Sequence, residues 1–155
     1  MNIFLSHWSD ESNIALLLKE WLENVFDDIN VFVSSSENDI DYGQEWERAM
    51  FEALDKSSLL IVLVSTKSYN RKWIHIETGY SLAKKIKPLI IRIDDILPEV
   101  MGRPYDNYQS LSIKSPNFTK SFFCTISALA NQPLRENIGF DYMQMDIVQK
   151  CKSLR

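Results

Sequence analysis

The sequence predicts a three-layer α/β fold, with a five-stranded all-parallel sheet in the order 2-1-3-4-5 and helices on both faces. Short apolar runs alternate along the chain with longer segments whose apolar residues recur at helical spacing. The third run, LLIVLV at residues 59–64, lacks the alternation of a strand with one wet face and therefore marks a sheet centre buried on both sides. No internal repeat and no Pro-, Gly- or Ser-rich linker divides the 155 residues, a length suited to one hydrophobic core.

Residues 3–6 form the first strand. Ser9 then stands as a cap before a helix with Ile14, Leu17, Leu18, Trp21, Leu22, Val25 and Phe26 on one face, and Asp10 and Glu11 complement the macrodipole in its first turn. Val31, Phe32 and Val33 give a second strand. A polar, acid-rich loop over residues 34–43 leads to a helix that places Trp46, Ala49, Met50, Ala53 and Leu54 together. After the central strand, a helix is expected over residues 72–85. Pro88 then opens the fourth strand, where its missing N–H is tolerable at the first position. Residues 94–107 hold Pro98, Gly102 and Pro104 and read as loop with one short turn, ahead of a weaker strand at 109–113. Phe118, Phe122, Ile126 and Leu129 mark a helix over 118–130, completing a flavodoxin-like outline. Pro133 is the candidate boundary. It separates a domain at 1–132 from a tail at 133–155, whose Phe140, Met143, Ile147, Cys151 and Leu154 share a helical face that packs on the domain or meets a partner.

Composition narrows the function. With 17 Lys and Arg against 21 Asp and Glu, the net charge is -4 and the basic residues are scattered, so a direct nucleic-acid ligand is not expected. Cys124 and Cys151 form no C-x-x-C pair and have no His at ligand spacing, which argues against a zinc site or disulfide framework and for a reducing, cytoplasmic setting. No apolar run approaches the ~18 residues of a membrane span, and the start of the chain lacks a secretory pattern, so no membrane association is expected.

In an open parallel sheet of this order, ligands bind outside the C-terminal strand ends, at the switch between strands one and three. That rule delivers Ser6, His7 and Trp8, residues 65–73, and the loop at 34–43. The four glycines, at 43, 79, 102 and 139, form neither G-x-G-x-x-G nor a phosphate-cradling P-loop. A receiver domain would need an acceptor Asp where Ser65 stands. Trp73 and Glu77, spaced i, i+4, lie one turn apart on one helix face. Taken alone, that pair is a weak signal, and the simpler reading of a packing aromatic and a solvated carboxylate outweighs the functional one. His7 and Trp46 likewise read as a satisfied surface histidine and a packing residue, and Asp94 and Asp95 as caps of a turn rather than metal ligands.

Together, Ile3-Phe4-Leu5-Ser6-His7, Val31-Phe32-Val33, Ile40, Gly43 and Trp46, Ser65 and Ser68, and Trp73 with Glu77 resemble the TIR (Toll/interleukin-1 receptor) family over about residues 2 to 130. The bacterial members are the nearest in pattern. The resemblance implies an NAD nucleosidase or ADP-ribosyl cyclase that takes NAD as substrate with no further cofactor or metal, and Glu77 as its catalytic carboxylate. It also implies substrate contacts from Phe4, Ser6, His7, Ser34, Asp39, Ile40, Gly43, Ser68 and Trp73, with the 34–43 segment as the mobile BB loop. Family members of this type are active after self-association through that loop, are switched by a sensor domain or chain, and in bacteria serve antiphage defence.

Two other functions compete. Many TIR domains are signalling scaffolds, a role with no use for a carboxylate at Glu77. Nucleoside deoxyribosyltransferase-like enzymes use a glutamate nucleophile on a related sheet, but normally carry a glycine-bearing loop where this chain has Ser6-His7-Trp8-Ser9.

Overall fold

The computed structural model describes residues 1–34 and 43–153. Its sheet holds β1 (Asn2–Ser6), β2 (Asn30–Val33), β3 (Leu59–Val64), β4 (Pro88–Arg92) and β5 (Ser110–Ser112), all parallel and in the order β2-β1-β3-β4-β5. The predicted order therefore holds. β3 is buried at all six positions, and each Leu, Ile or Val enclosed there stabilises the sheet by about 1.5–3 kcal/mol.

Strand alternation divides the core into two layers. Ile3, Leu5, Ile61, Leu63, Leu89 and Ile91 face α1 (Ser12–Val25) and α5 (Phe118–Ala130), where Phe122 and Phe123 fill the space. Phe4, Leu60, Val62, Val64 and Ile90 face α2 (Gly43–Lys56) and α3 (Lys72–Ala83). α6 (Phe140–Lys152) lies across α5 and α1, with Ile147 fully buried. Leu154 of the predicted tail face lies outside the described residues.

Two local expectations are corrected. Ser9 does not cap α1 with its side chain: residues Ser9–Glu11 form a 3-10 turn, and Ser12 Oγ donates to the Ser9 carbonyl. Glu11 turns inward instead of decorating the first helical turn. The 94–107 segment is also more ordered than loop. Pro98 starts a one-turn helix α4 (Pro98–Met101), suited by its fixed φ and absent donor, and Gly102 ends it at φ 66°. The following Tyr105 is fully buried, its hydroxyl 3.1 Å from His75 Nδ1. At the end of α5, Asn131 adopts the left-handed conformation that closes helices. Among the described residues no helix is long and apolar enough to cross a membrane.

Candidate functional site

Three elements converge on Glu77. Ser6, the last residue of β1, points to the same side as Phe4, and Ser34, one residue beyond β2, to the same side as Phe32. α3 spans that side, and its second turn directs Glu77 down onto the strand ends. The carboxylate is 1% exposed. Ser6 Oγ donates to Oε2 and Ser34 Oγ donates to Oε1 at 2.5 Å, so each oxygen holds one hydroxyl from a different strand. Phe4 and Phe32 stack beneath at 5.3 Å between centroids and 25° between planes. One turn before Glu77, Trp73 meets Trp46 edge-on at 5.1 Å.

Burial raises the Glu77 pKa to about 7, and the two serine hydroxyls, which favour the charged form, offset only part of that rise. No cation pairs with Glu77 among the described residues. Both protonation states are therefore accessible near neutrality. A carboxylate enclosed in this way interacts with a developing positive charge more strongly than a solvated one, because the surroundings screen it less.

The remaining predicted residues do not all gather here. Phe4 is fully buried and forms the floor rather than an exposed contact. His7 is buried rather than at the surface; its Nε2 lies 3.1 Å from Ser12 Oγ, and Nδ1 has no partner among the described residues. Desolvation holds its pKa near 4, so the ring is neutral at pH 7. Gly43 is the first residue of α2. Asp39 and Ile40 lie outside the described residues.

Ser68 belongs to another cluster. Its Oγ accepts from the Ser65 amide at 2.9 Å, while Ser65 Oγ donates to Glu11 Oε1 at 2.6 Å and the Trp8 amide donates to Glu11 Oε2 at 3.3 Å. Glu11 is 3% exposed, with its pKa raised by burial against these hydrogen bonds. The ends of β1 and β3 are thus joined through Glu11, whereas Glu77 engages the ends of β1 and β2. Both clusters lie at the rim that the strand-order rule names, and the structure separates what that rule took as one crevice. Glu11 was missed because an acid in a first helical turn satisfies a simpler rule. The paired serines at 65 and 68, spaced to close a turn, were its available signal. Asp94 does cap the turn, accepting from the Thr66 amide at 2.8 Å and from the Ile96 amide at 3.1 Å.

Among solved structures, the TIR domains in the activated Roq1 resistosome directly recognizing the pathogen effector XopQ are similar, at 14% identity and a TM-score of 0.46, over 96% of this chain and 98% of that one. No curated protein matches the sequence. The family model for the TIR domain matches residues 3–122, from the first strand into α5. With most of its length matched, and with the five-stranded sheet in the predicted order, the chain belongs to the TIR-domain family.

Proposed function

We propose that this TIR domain cleaves the nicotinamide–ribose bond of NAD, with Glu77 as the catalytic carboxylate. The supporting observation is the state of that side chain: buried, with no cation paired to it among the described residues, and holding one hydroxyl on each oxygen. Two hydroxyls donated to the two oxygens of a carboxylate is also the demand a ribose diol makes. A nicotinamide riboside placed there exchanges the serine hydroxyls for its own.

The chemistry follows from charge. The C1′–N bond breaks with its electron pair going to nicotinamide, which leaves neutral, and the positive charge passes to the ribosyl carbon and ring oxygen. Ionised Glu77 stabilises that cation in a poorly screened environment. Water then attacks C1′ and loses a proton, giving ADP-ribose; attack by the adenine of the same molecule gives a cyclic product. Trp73 supplies an aromatic side wall, and the 34–43 segment contributes from a neighbouring copy when chains assemble. Such an activity suits a bacterial antiphage effector that depletes NAD or makes a nucleotide messenger.

The test is nicotinamide release from NAD by the protein at high concentration or under crowding, with products separated by chromatography. Release by the wild-type chain and none by Glu77→Gln is the expected result. Equal release by both removes Glu77 from the role. No release by assembled wild-type protein favours the scaffold function.

A further inference from the structure

An open sheet ends in edge strands, whose outward main-chain donors and acceptors offer a template on which another strand can build. In this sheet β2 is one such edge. The Asn30 amide donates to the Met1 carbonyl and the Ser34 amide to the Leu5 carbonyl, so the main-chain groups of residues 30, 32 and 34 turn toward β1. Those of Val31 and Val33 therefore turn outward.

Both outward groups of Val31 are taken by side chains of α1. Lys19 Nζ donates to the Val31 carbonyl at 2.7 Å, and the Val31 amide donates to Glu23 Oε1 at 3.0 Å. Lys19 and Glu23, one helical turn apart, also pair with each other at 2.5 Å. The clasp so formed occupies donor and acceptor of one residue. Its two side chains are 34% and 35% exposed, so they can swing into water without opening the core. Beside them a groove of about 480 Å³ follows the strand, with Lys19 and Glu23 on one side and the small side chains of Ala49 and Ala53 from α2 on the other. Phe32, stacked on Phe4, lines this groove and is 37% exposed.

The edge is complementary to itself. Two β2 strands running antiparallel about a twofold axis at Phe32 set Val31 of each opposite Val33 of the other, where both main-chain groups of each residue find partners. The same register brings the two Phe32 rings together as a cross-strand aromatic pair. With the clasp closed, Val31 has nothing to offer and that pairing cannot form. We propose that the β2 edge is a self-association surface for a second copy of this chain, held shut by the Lys19–Glu23 clasp. Opening the clasp joins the sheets of two copies into one. The surface does not depend on NAD cleavage.

The test is sedimentation velocity of the full chain over a concentration series, with hydrogen exchange of the Val33 amide as a local readout. Lys19→Ala with Glu23→Ala, in which alanine keeps α1 helical, is expected to dimerise at least ~10-fold more tightly than wild type, since two hydrogen bonds no longer have to be broken first. Lys19→Ala alone, which frees only the carbonyl, should give a smaller gain. The Val33 amide should become protected as the dimer forms. Adding Val33→Pro, which removes an outward donor at a position where an edge strand tolerates proline, should return association to the wild-type level. Asp95→Ala with Lys114→Ala removes an exposed ion pair beside the opposite edge of the sheet and should change nothing. Unchanged association in the clasp variants, a dimer that survives Val33→Pro or leaves the Val33 amide unprotected, or an equal gain in the Asp95 and Lys114 variant each overturns the proposal.

Discussion

Glu77 and Glu11 are both glutamates buried at the C-terminal rim of one sheet, both held by serine hydroxyls, and both raised in pKa by desolvation. Their partners differ in kind. Glu11 also accepts a backbone amide three residues away in sequence and joins the turn after β1 to the turn after β3. It works as a latch, and a ligand that displaced its partners would leave a main-chain donor unpaired. Among the described residues Glu77 holds only side-chain hydroxyls, carried 28 residues apart at the ends of β1 and β2 by Ser6 and Ser34. Hydroxyls can rotate away and find water, so this carboxylate can change partners while the backbone stays in place. A buried acid with exchangeable partners suits chemistry, and one with a main-chain partner suits architecture.

The sharpest way to break this contrast is to neutralise each acid in turn. Glu77→Gln is expected to lower nicotinamide release by at least ~100-fold, the scale for removing one charge-stabilising group, while Glu11→Gln stays within a few-fold of wild type when activity is normalised to folded protein. Equal losses in both variants would place the two residues in one site. Stability should invert the ranking. Glu11→Ala removes the acceptor of the Trp8 amide and one acceptor of the Ser65 hydroxyl and should cost about 1–3 kcal/mol in denaturant unfolding.

Glu77→Gln should instead stabilise the protein under alkaline conditions. The folded-state pKa of Glu77 lies near 7, above its ordinary 4.5, so between these values the folded state binds more protons and stability falls as pH rises. Melting temperatures of wild type and Glu77→Gln should therefore diverge by a few degrees from pH 5 to pH 8, with the variant higher at pH 8. Parallel curves would mean that the carboxyl is not desolvated. His7 has the opposite sign: its pKa is depressed, so it favours folding above about pH 6.5 and that contribution is lost as pH falls towards 4. Acid titration of the melting temperature in His7→Gln should show a shallower decline below pH 6.5.

The smallest expected effect concerns the serines. Each donates to the ionised form of Glu77, so Ser34→Ala should raise the carboxyl pKa further and move the acid limb of the pH–rate profile to higher pH, with little loss at the optimum. Loss at every pH without a shift would make Ser34 a substrate contact instead.

The apolar residues announced most of the fold. An unbroken run cannot sit at a sheet edge, which placed β3 at the centre, and the spacing of Phe118, Phe122 and Ile126 gave α5 its bounds. Polar residues carried less information, since a carboxylate is solvated or buried according to partners far away in sequence. The i, i+4 pairing of Trp73 and Glu77 was readable, but Ser34 as the second hydroxyl on Glu77 depended on the β1–β2 register, in which Leu5 faces Val33. Tyr105 was hidden among Pro, Gly, Asp and Asn, the residues of exposed turns, because its burial depends on a hydroxyl reaching His75.

Gln144 on α6 accepts from the Thr119 amide at the start of α5 and donates to the Ile113 carbonyl just past β5, at 3.1 and 3.0 Å. One amide group thus completes the hydrogen bonding of two segments within the main body, while Ile147 beside it fills the layer under Phe123. A fragment cut after residue 132 would contain the whole matched family span and still leave an open seam along α5, wet where it should be dry. Its expected behaviour is that of an unfinished protein, prone to adhere to its own copies and easily mistaken for one that assembles on purpose.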